Sequence, residues 1–544
     1  MTIYPHMKII FVFIIYFFFL VYNHSAKALD SNFKNIRQLL EYLQTEDKLP
    51  ILQEPVYTRD LLMDIYQSIE FKPLWDDRFY AMQCIEALAE SYKFGFLPED
   101  YHVPILTSLY NTELADDNPQ FDVLLTDGLL LYSHHLLNGK LNPKDFFFSW
   151  NFPQRYIYQD SIRDFLKIAR KEKVLEDLNE HHPSFAIYWL LVKEREKWIE
   201  VEQEAGKLEP ILLDKAIKPG DSAKVFGVIL KRLKQLKYAH DTIIIINQYD
   251  SSFLSTIINF QFSHGLEQDG VIGIKTIEYI NMPVKMRIDI IDVNLERLRW
   301  LSGGAEDYMV FVNIAGFHLS VVKDKHIIWD TPVMTGTIDT QTPVFTSQLK
   351  YLVFNPTWTV PRGILYRSLF NKMKSDPAFI TTNNYTLYDS NGFSIDPAKL
   401  NWDTITFKNF RFSVIQNPGP NNAMGVVKFM FPNQYAIYLH DTPSKTLFSK
   451  SARAFSNGCI RVKDPIILAK ILLDDENKYS EQKLKELINS KITKTVFLKE
   501  SVNILLVYFT VDMDKNGRVV FYEDIYQRDP AILDKLRTPL KAGL

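Results

Sequence analysis

The stretch that decides the reading of this chain is Ile437–Val462, IYLHDTPSKTLFSKSARAFSNGCIRV. It holds Cys459, one of two cysteines, directly after Gly458, and His440 lies nineteen positions upstream. The residues before the histidine, Tyr435–Leu439, are β-prone and largely apolar. This predicts a strand ending at His440, a long loop, and a turn at Ser456–Gly458 that returns the thiol to the imidazole. A thiol with an unperturbed pKa of about 8.5 needs a base or a positive field to become a nucleophile. A cysteine and a histidine taken singly are more often a small buried hydrophobe and a satisfied polar group. What surrounds them decides.

The segment Ser456-Asn457-Gly458-Cys459-Ile460-Arg461, with the histidine upstream, resembles the active-site signature of the L,D-transpeptidases. HDTPS (His440–Ser444), Leu447-Phe448 and RAFS (Arg453–Ser456) are closer still to the larger Gram-negative periplasmic branch. Asn457 stands where many members have histidine, which puts a second imidazole beside the thiol in doubt but not the base itself. The resemblance implies Cys459 as nucleophile, His440 as base, backbone N–H groups near Gly458 and Cys459 as oxyanion donors, and Tyr438 as a hydroxyl donor to the same oxyanion. It implies substrate contacts from Arg461, Ser456 and Asn457. For Arg461 a structural ion pair is the competing role; for His440 either Asp441 or a backbone carbonyl serves as orienter.

The chain has 544 residues, 47% of them apolar and 23% charged, with a net charge of −3. That length predicts two to four domains with ample core. The charge gives no support for nucleic-acid binding, which needs a basic surface. Lys8 precedes an apolar run, Ile9–Tyr22, and then Ser25-Ala26-Lys27-Ala28. The run is shorter than the roughly 20 residues of a membrane span. Residues 1–28 are therefore expected to be a cleaved secretory signal placing the protein in the periplasm, with a retained inner-membrane anchor as the alternative. Two cysteines make no disulfide framework, and Cys84 is expected buried and inert.

Residues 29–208 read as a helical scaffold domain: apolar residues recur at helical spacing in Ile36, Leu39, Leu40 and Leu43, and in Leu124, Leu125, Leu129, Tyr132 and Leu136. FKPLW (Phe71–Trp75), GFLPEDY (Gly95–Tyr101), LLTDGLLLYSHHLLNGKLNP (Leu124–Pro143) and Trp150-Asn151 echo the N-terminal region of the same branch. His134 and His135 are adjacent, so on a helix they diverge and suit a metal poorly. No metal and no organic cofactor is expected. Residues 217–283 resemble the three-helix peptidoglycan-binding domain through Phe260-Gln261, His264-Gly265-Leu266, Asp269-Gly270-Val271, Gly273, Thr276 and Asn281. Residues 284–303 read as an amphipathic connecting helix with Ile290, Val293 and Leu298 on its apolar side.

From about Asp307 the period becomes that of strands, predicting a β-rich domain over residues 305–510, which the resemblance implies is the catalytic one. NPTWTVP (Asn355–Pro361) resembles a segment of the large branch in which Trp358 is either core or a cleft wall that binds substrate. Residues of about 363–410 break the pattern and predict a capping insertion. Asn417–Gly425 matches the family's PGP.NA.G loop. Asp512–Gly517 with Glu523 fits a calcium-loop pattern, but β-branched flanks and Asn516-Gly517 predict a hairpin instead, so residues 511–544 read as a hairpin and tail.

The fold class expected is thus multidomain α+β: a helical scaffold, a three-helix module and a β-rich catalytic domain with a capping insertion. The family implies transfer of a peptidoglycan stem peptide through a Cys459 thioester to form 3→3 diaminopimelate cross-links. Its implied partners are stem peptides and glycan, its inhibitors carbapenems, and its state a monomer. The alternatives are an L,D-carboxypeptidase, attachment of a protein to the wall by the same chemistry, and an inactive wall-binding structural protein.

Overall fold

The computed structural model describes residues 33–49, 52–111, 118–153, 174–206, 208–240, 249–301 and 307–540. The expected secretory segment 1–28 lies outside them.

The scaffold packs Leu39, Leu62, Ile65, Leu88 and Leu106 around the helix Pro119–Asn138, which is buried along almost its whole length. Two buried carboxylates on that helix organise the loops about it. Asp122 accepts from the Leu74 and Trp75 amides and the Tyr66 hydroxyl; Asp127 accepts from the Tyr57 and Thr58 amides and bonds His102. At Gly128 a Cβ would stand 2.8 Å from the Tyr101 carbonyl, so only glycine lets helix and loop approach there. His134 is exposed while His135 is buried against the Tyr101 hydroxyl, so the two histidines share no ligand position.

The three-helix module, Phe226–Gln235, Ser251–Ser263 and Ile274–Asn281, closes on Phe226, Ile229, Leu233, Phe253, Ile257, Phe260 and Ile280. Its Gln261 side chain is spent internally, donating to Val271 O and accepting from Gly270 N. His264 is buried beside Phe260 and stacked on Phe521, while Arg518 lies 3.7 Å over the Phe262 ring. The module therefore sits directly against the hairpin β14 (Val511–Met513) and β15 (Val519–Phe521). That hairpin is antiparallel, with Asp514 accepting from Asn516 and Arg518 within the turn.

The connecting helix, Val284–Trp300, corrects the sequence reading. Ten consecutive residues, Ile291–Trp300, are buried, so past its first two turns, where Lys285 and Met286 are exposed, the helix has no solvent face. Its charges are paired inside. Asp292 takes Arg195 of the scaffold at 2.5 Å and Arg537 at 2.6 Å. Arg297 meets Asp529 at 2.7 Å, and Glu296 pairs with Arg299 while accepting the Leu141 amide. The period of charges along this helix reads as solvation in the sequence; the fold supplies counterions instead.

The β-rich domain is a nearly closed sheet in the order β11-β3-β12-β10-β9-β4-β13-β1-β2, with β2 pairing back onto β3. Its strands are β1 (Tyr308–Asn313), β2 (His318–Lys323), β3 (His326–Gly336), β4 (Phe345–Phe354), β9 (Val427–Met430), β10 (Leu439–His440), β11 (Ala454–Ser456), β12 (Ile460–Val462) and β13 (Lys494–Val507). One continuous core joins this sheet to scaffold residues Phe147, Trp150 and Leu191 and to the central helix. Between β4 and β9 a separate small sheet, β5 (Trp358–Thr359), β8 (Ser413–Gln416), β6 (Tyr385–Tyr388) and β7 (Ser394–Ile395), packs with short helices around Leu365, Phe370, Met373, Trp402 and Phe410. This insertion has its own core, and Trp358 belongs to it, half-buried against that cluster.

Candidate active site

The local sequence builds the site through strand register. β10 runs parallel to β12 with Leu439 beside Ile460 and His440 beside Arg461, and the Ile460 amide donates to Tyr438 O. Cys459 precedes β12 and so lies beside Tyr438. Alternate residues of a strand share a face, so Tyr438, His440, Cys459 and Arg461 form one patch. The intervening Leu439, Ile460 and Val462 fill the core on the other face.

The turn before the nucleophile is fixed by two residues. Gly458 has φ +109°, a region closed to side chains without strain, and its surroundings would place a Cβ 3.3 Å from Ile437. Ser456 is buried; its hydroxyl donates to Cys459 O at 2.5 Å and accepts from Gly458 N at 3.0 Å. Both findings correct the sequence expectation. The Gly458 N–H, expected to face the oxyanion, already donates to Ser456 Oγ here, and the Ser456 hydroxyl, expected to meet substrate, points into the turn. The Cys459 N–H has no protein acceptor among the described residues. Asn457 is exposed at the rim of the turn.

His440 is buried, and its Nδ1 bonds Asp441 O at 2.5 Å. With Nδ1–H donating there, Nε2 is left as the basic nitrogen. Burial, then the Arg461 cation, push the imidazole down to about 3, so it is neutral and able to accept a proton. The Asp441 carboxylate is not the orienter. It takes the Val426 amide and pairs with Lys445 at 2.5 Å, and it fills the space where a side chain at Gly425 would stand.

Cys459 is half-buried, its thiol donating to Ala436 O at 3.6 Å instead of to the imidazole. Ala436 has φ +55°, and the Asn433 side chain holds that loop by bonding the Tyr435 and Ile437 amides and Ile437 O. Burial raises the thiol's pKa; the Tyr438 main chain and hydroxyl, and then Arg461, work against that rise. Nothing in the sequence pointed to the Asn433–Ala436 loop, because its role is a carbonyl direction and not a side chain. The site gathers a thiol, a neutral imidazole, and an N–H and a hydroxyl able to donate to an oxygen anion. This is equipment for acyl transfer.

Residues 307–488 match the family model for the L,D-transpeptidase catalytic domain, and residues 60–194 match that of a scaffold domain. A Haemophilus influenzae protein named "Putative L,D-transpeptidase" is 34% identical over 294 residues, 53% of this chain and 59% of its own length. The chain thus carries one region similar to the L,D-transpeptidase catalytic domain and another similar to a scaffold domain. The matched span is less than two thirds of that curated relative. Among solved structures, the L,D-transpeptidase of Xylanimonas cellulosilytica is 11% identical, covering 55% of this chain and all of its own, with a TM-score of 0.18. That of Stackebrandtia nassauensis is 12% identical, covering 55% and 97%, with a TM-score of 0.20. Overlays this poor add nothing to the sequence match.

Within the matched region the cysteine and histidine singled out from sequence lie one pleat apart on adjacent strands. Arg461 has no ion pair among the described residues, and its Nε is buried without an acceptor, so the structural salt bridge is not its role here. Among the described residues, no three His, Cys, Asp or Glu side chains gather to hold a metal.

Proposed function

We propose that this chain is an L,D-transpeptidase and transfers peptidoglycan stem peptides through a thioester at Cys459. The observation that carries this is the shared sheet face on which Cys459 and Tyr438 sit side by side, with Arg461 and the neutral His440 next along their strands. On arrival of a tetrapeptide donor the thiol turns from Ala436 O to His440 Nε2, which takes its proton. The thiolate attacks the carbonyl of the third residue, diaminopimelate. The oxyanion is met by the Cys459 N–H and the Tyr438 hydroxyl. The C–N bond then breaks, His440 returns its proton to the leaving D-alanine amine, and the thioester remains. The side-chain amine of a second diaminopimelate attacks in turn, giving a 3→3 cross-link and the free thiol. Localisation in the periplasm, action as a monomer and retention of glycan by the three-helix module complete the proposal.

The test is incubation of the protein with disaccharide-tetrapeptide and mass spectrometry of the products. Cross-linked dimer supports transpeptidation; tripeptide alone assigns carboxypeptidation to the same thioester; no product in either form defeats both. A carbapenem is expected to leave a covalent adduct on the wild type and none on Cys459→Ala.

A further inference from the structure

His440 has a second strand neighbour. β9 runs antiparallel to β10, with Phe429 beside Leu439 and Lys428 beside His440. Directly opposed residues share a face. The three strands therefore set Lys428, His440 and Arg461 in one row across the sheet. The alternate row, Phe429, Leu439 and Ile460, is wholly buried in the core, which fixes the facing independently. Cys459 and Tyr438 lie on the Lys428 side, one pleat away.

Both cations of this row lack counterions. Lys428 and Arg461 are half-buried, and neither has an ion pair or a hydrogen-bond acceptor among the described residues. The nearest feature to the Lys428 ammonium is the Tyr438 ring, 5.8 Å away. Nearby Lys445 differs: it pairs with Asp441 and donates to Lys463 O. Desolvation presses on both unpaired cations. A charge held half out of water without a partner is costly, and the cost is relieved when an anion arrives. Strands are spaced about 4.8 Å apart, so the two side chains leave one strand between them, a gap that two long cationic side chains close over a single carboxylate.

We propose that Lys428 and Arg461 form a two-sided cradle for a substrate carboxylate above His440, making Lys428 a specificity-determining residue. The carboxylate is one carried within about one residue of the carbonyl that Cys459 attacks. Assigning it to a stem peptide rests on the proposed function; the cradle itself does not.

Alkylation of Cys459 in the full chain separates these. Iodoacetate and iodoacetamide share a leaving group and differ by one negative charge. At pH 7 the ratio of their rates, referred to a free thiol, is expected to exceed tenfold in favour of iodoacetate. Lys428→Met is expected to lower the ratio at least fivefold, and Lys428→Arg to retain most of it, which a merely structural lysine would not show. An equal ratio in wild type and Lys428→Met, each taken against that protein's own iodoacetamide rate, overturns the proposal. A second measurement compares a tetrapeptide donor with its amidated counterpart. Amidation is expected to raise KM about tenfold in the wild type and less than threefold in Lys428→Met, with kcat little changed. Turnover without preference for either anionic probe refutes the cradle alone. Preference for iodoacetate without peptide turnover refutes the transpeptidase reading and leaves the cradle standing.

Discussion

At the scale of single residues, the site's ionisation states set its pH behaviour. His440 is neutral above about 3, and burial holds the Cys459 thiol above its ordinary range. The rate of iodoacetamide labelling is therefore expected to climb steadily from pH 6 through pH 8, about tenfold per unit, with no inflection near the ordinary histidine value of about 6.5. An inflection there would mean that the imidazole titrates in the resting enzyme. Tyr438→Phe removes a hydroxyl that favours the thiolate, so labelling at fixed pH is expected to fall several-fold while the pH slope stays. Ser456→Ala strips the turn of both bonds that close it; a loss of about 1–3 kcal/mol in urea unfolding is expected, together with slower acylation. The candidate pair was legible in the sequence because thiol and imidazole announce their chemistry by residue type. The spent Gly458 amide and the inward Ser456 hydroxyl were not, since hydrogen-bond direction depends on backbone angles that a motif does not state.

At the scale of elements, the central helix carries the clearest mechanical expectation. Asp292 neutralises Arg195 and Arg537 at once, inside the protein. Asp292→Asn leaves the buried Arg195 guanidinium without its counterion, while Arg537 keeps Asp289, and is expected to cost about 3 kcal/mol, read as a lower urea midpoint at unchanged slope. A cost under about 1 kcal/mol would show that water reaches the cluster. Sequence periodicity gave this helix its existence but the wrong surroundings. Ile290 and Leu298 alternate with charges in the manner of a half-exposed helix, and only the partners on three other segments make those charges internal. The β14–β15 hairpin shows the opposite case. There the local signal, Asn516-Gly517 between β-branched runs, outweighed the calcium-loop pattern because turn geometry is set by neighbours in the chain.

At the scale of the whole molecule, the units are locked together by buried groups at their junctions. His264 lies between the three-helix module and the hairpin, and burial holds its imidazole down to about 3. Folding therefore keeps it neutral where the unfolded chain would protonate it, so its contribution falls as pH drops below about 6.5. Several buried carboxyls, Asp122, Glu296 and Asp529, are shifted upward and act in the opposite sense, so the total acid profile is not diagnostic. The difference is: from pH 6.5 to pH 5 the wild type is expected to lose about 2 kcal/mol relative to His264→Gln. A difference independent of pH would mean the junction opens to solvent. At the far side, Lys140 pairs with Asp100 and donates to Leu536 O and Thr538 O, while Leu540 N reaches Asp100. Lys140→Ala is expected to speed amide exchange in residues 536–540 without altering exchange in β10 or β12.

Taken alone, the sequence determined what is local: the strand that ends in His440, the glycine-led turn carrying Cys459, the helices of the scaffold and the hairpin at Asn516-Gly517. Each rests on periodicity or turn chemistry within a few residues. The tertiary structure alone decided which donors remain free, which charges are internal, and that Lys428 stands beside His440. Those facts depend on register between strands far apart in the chain, where a shift of one residue would turn every one of these side chains to the opposite face.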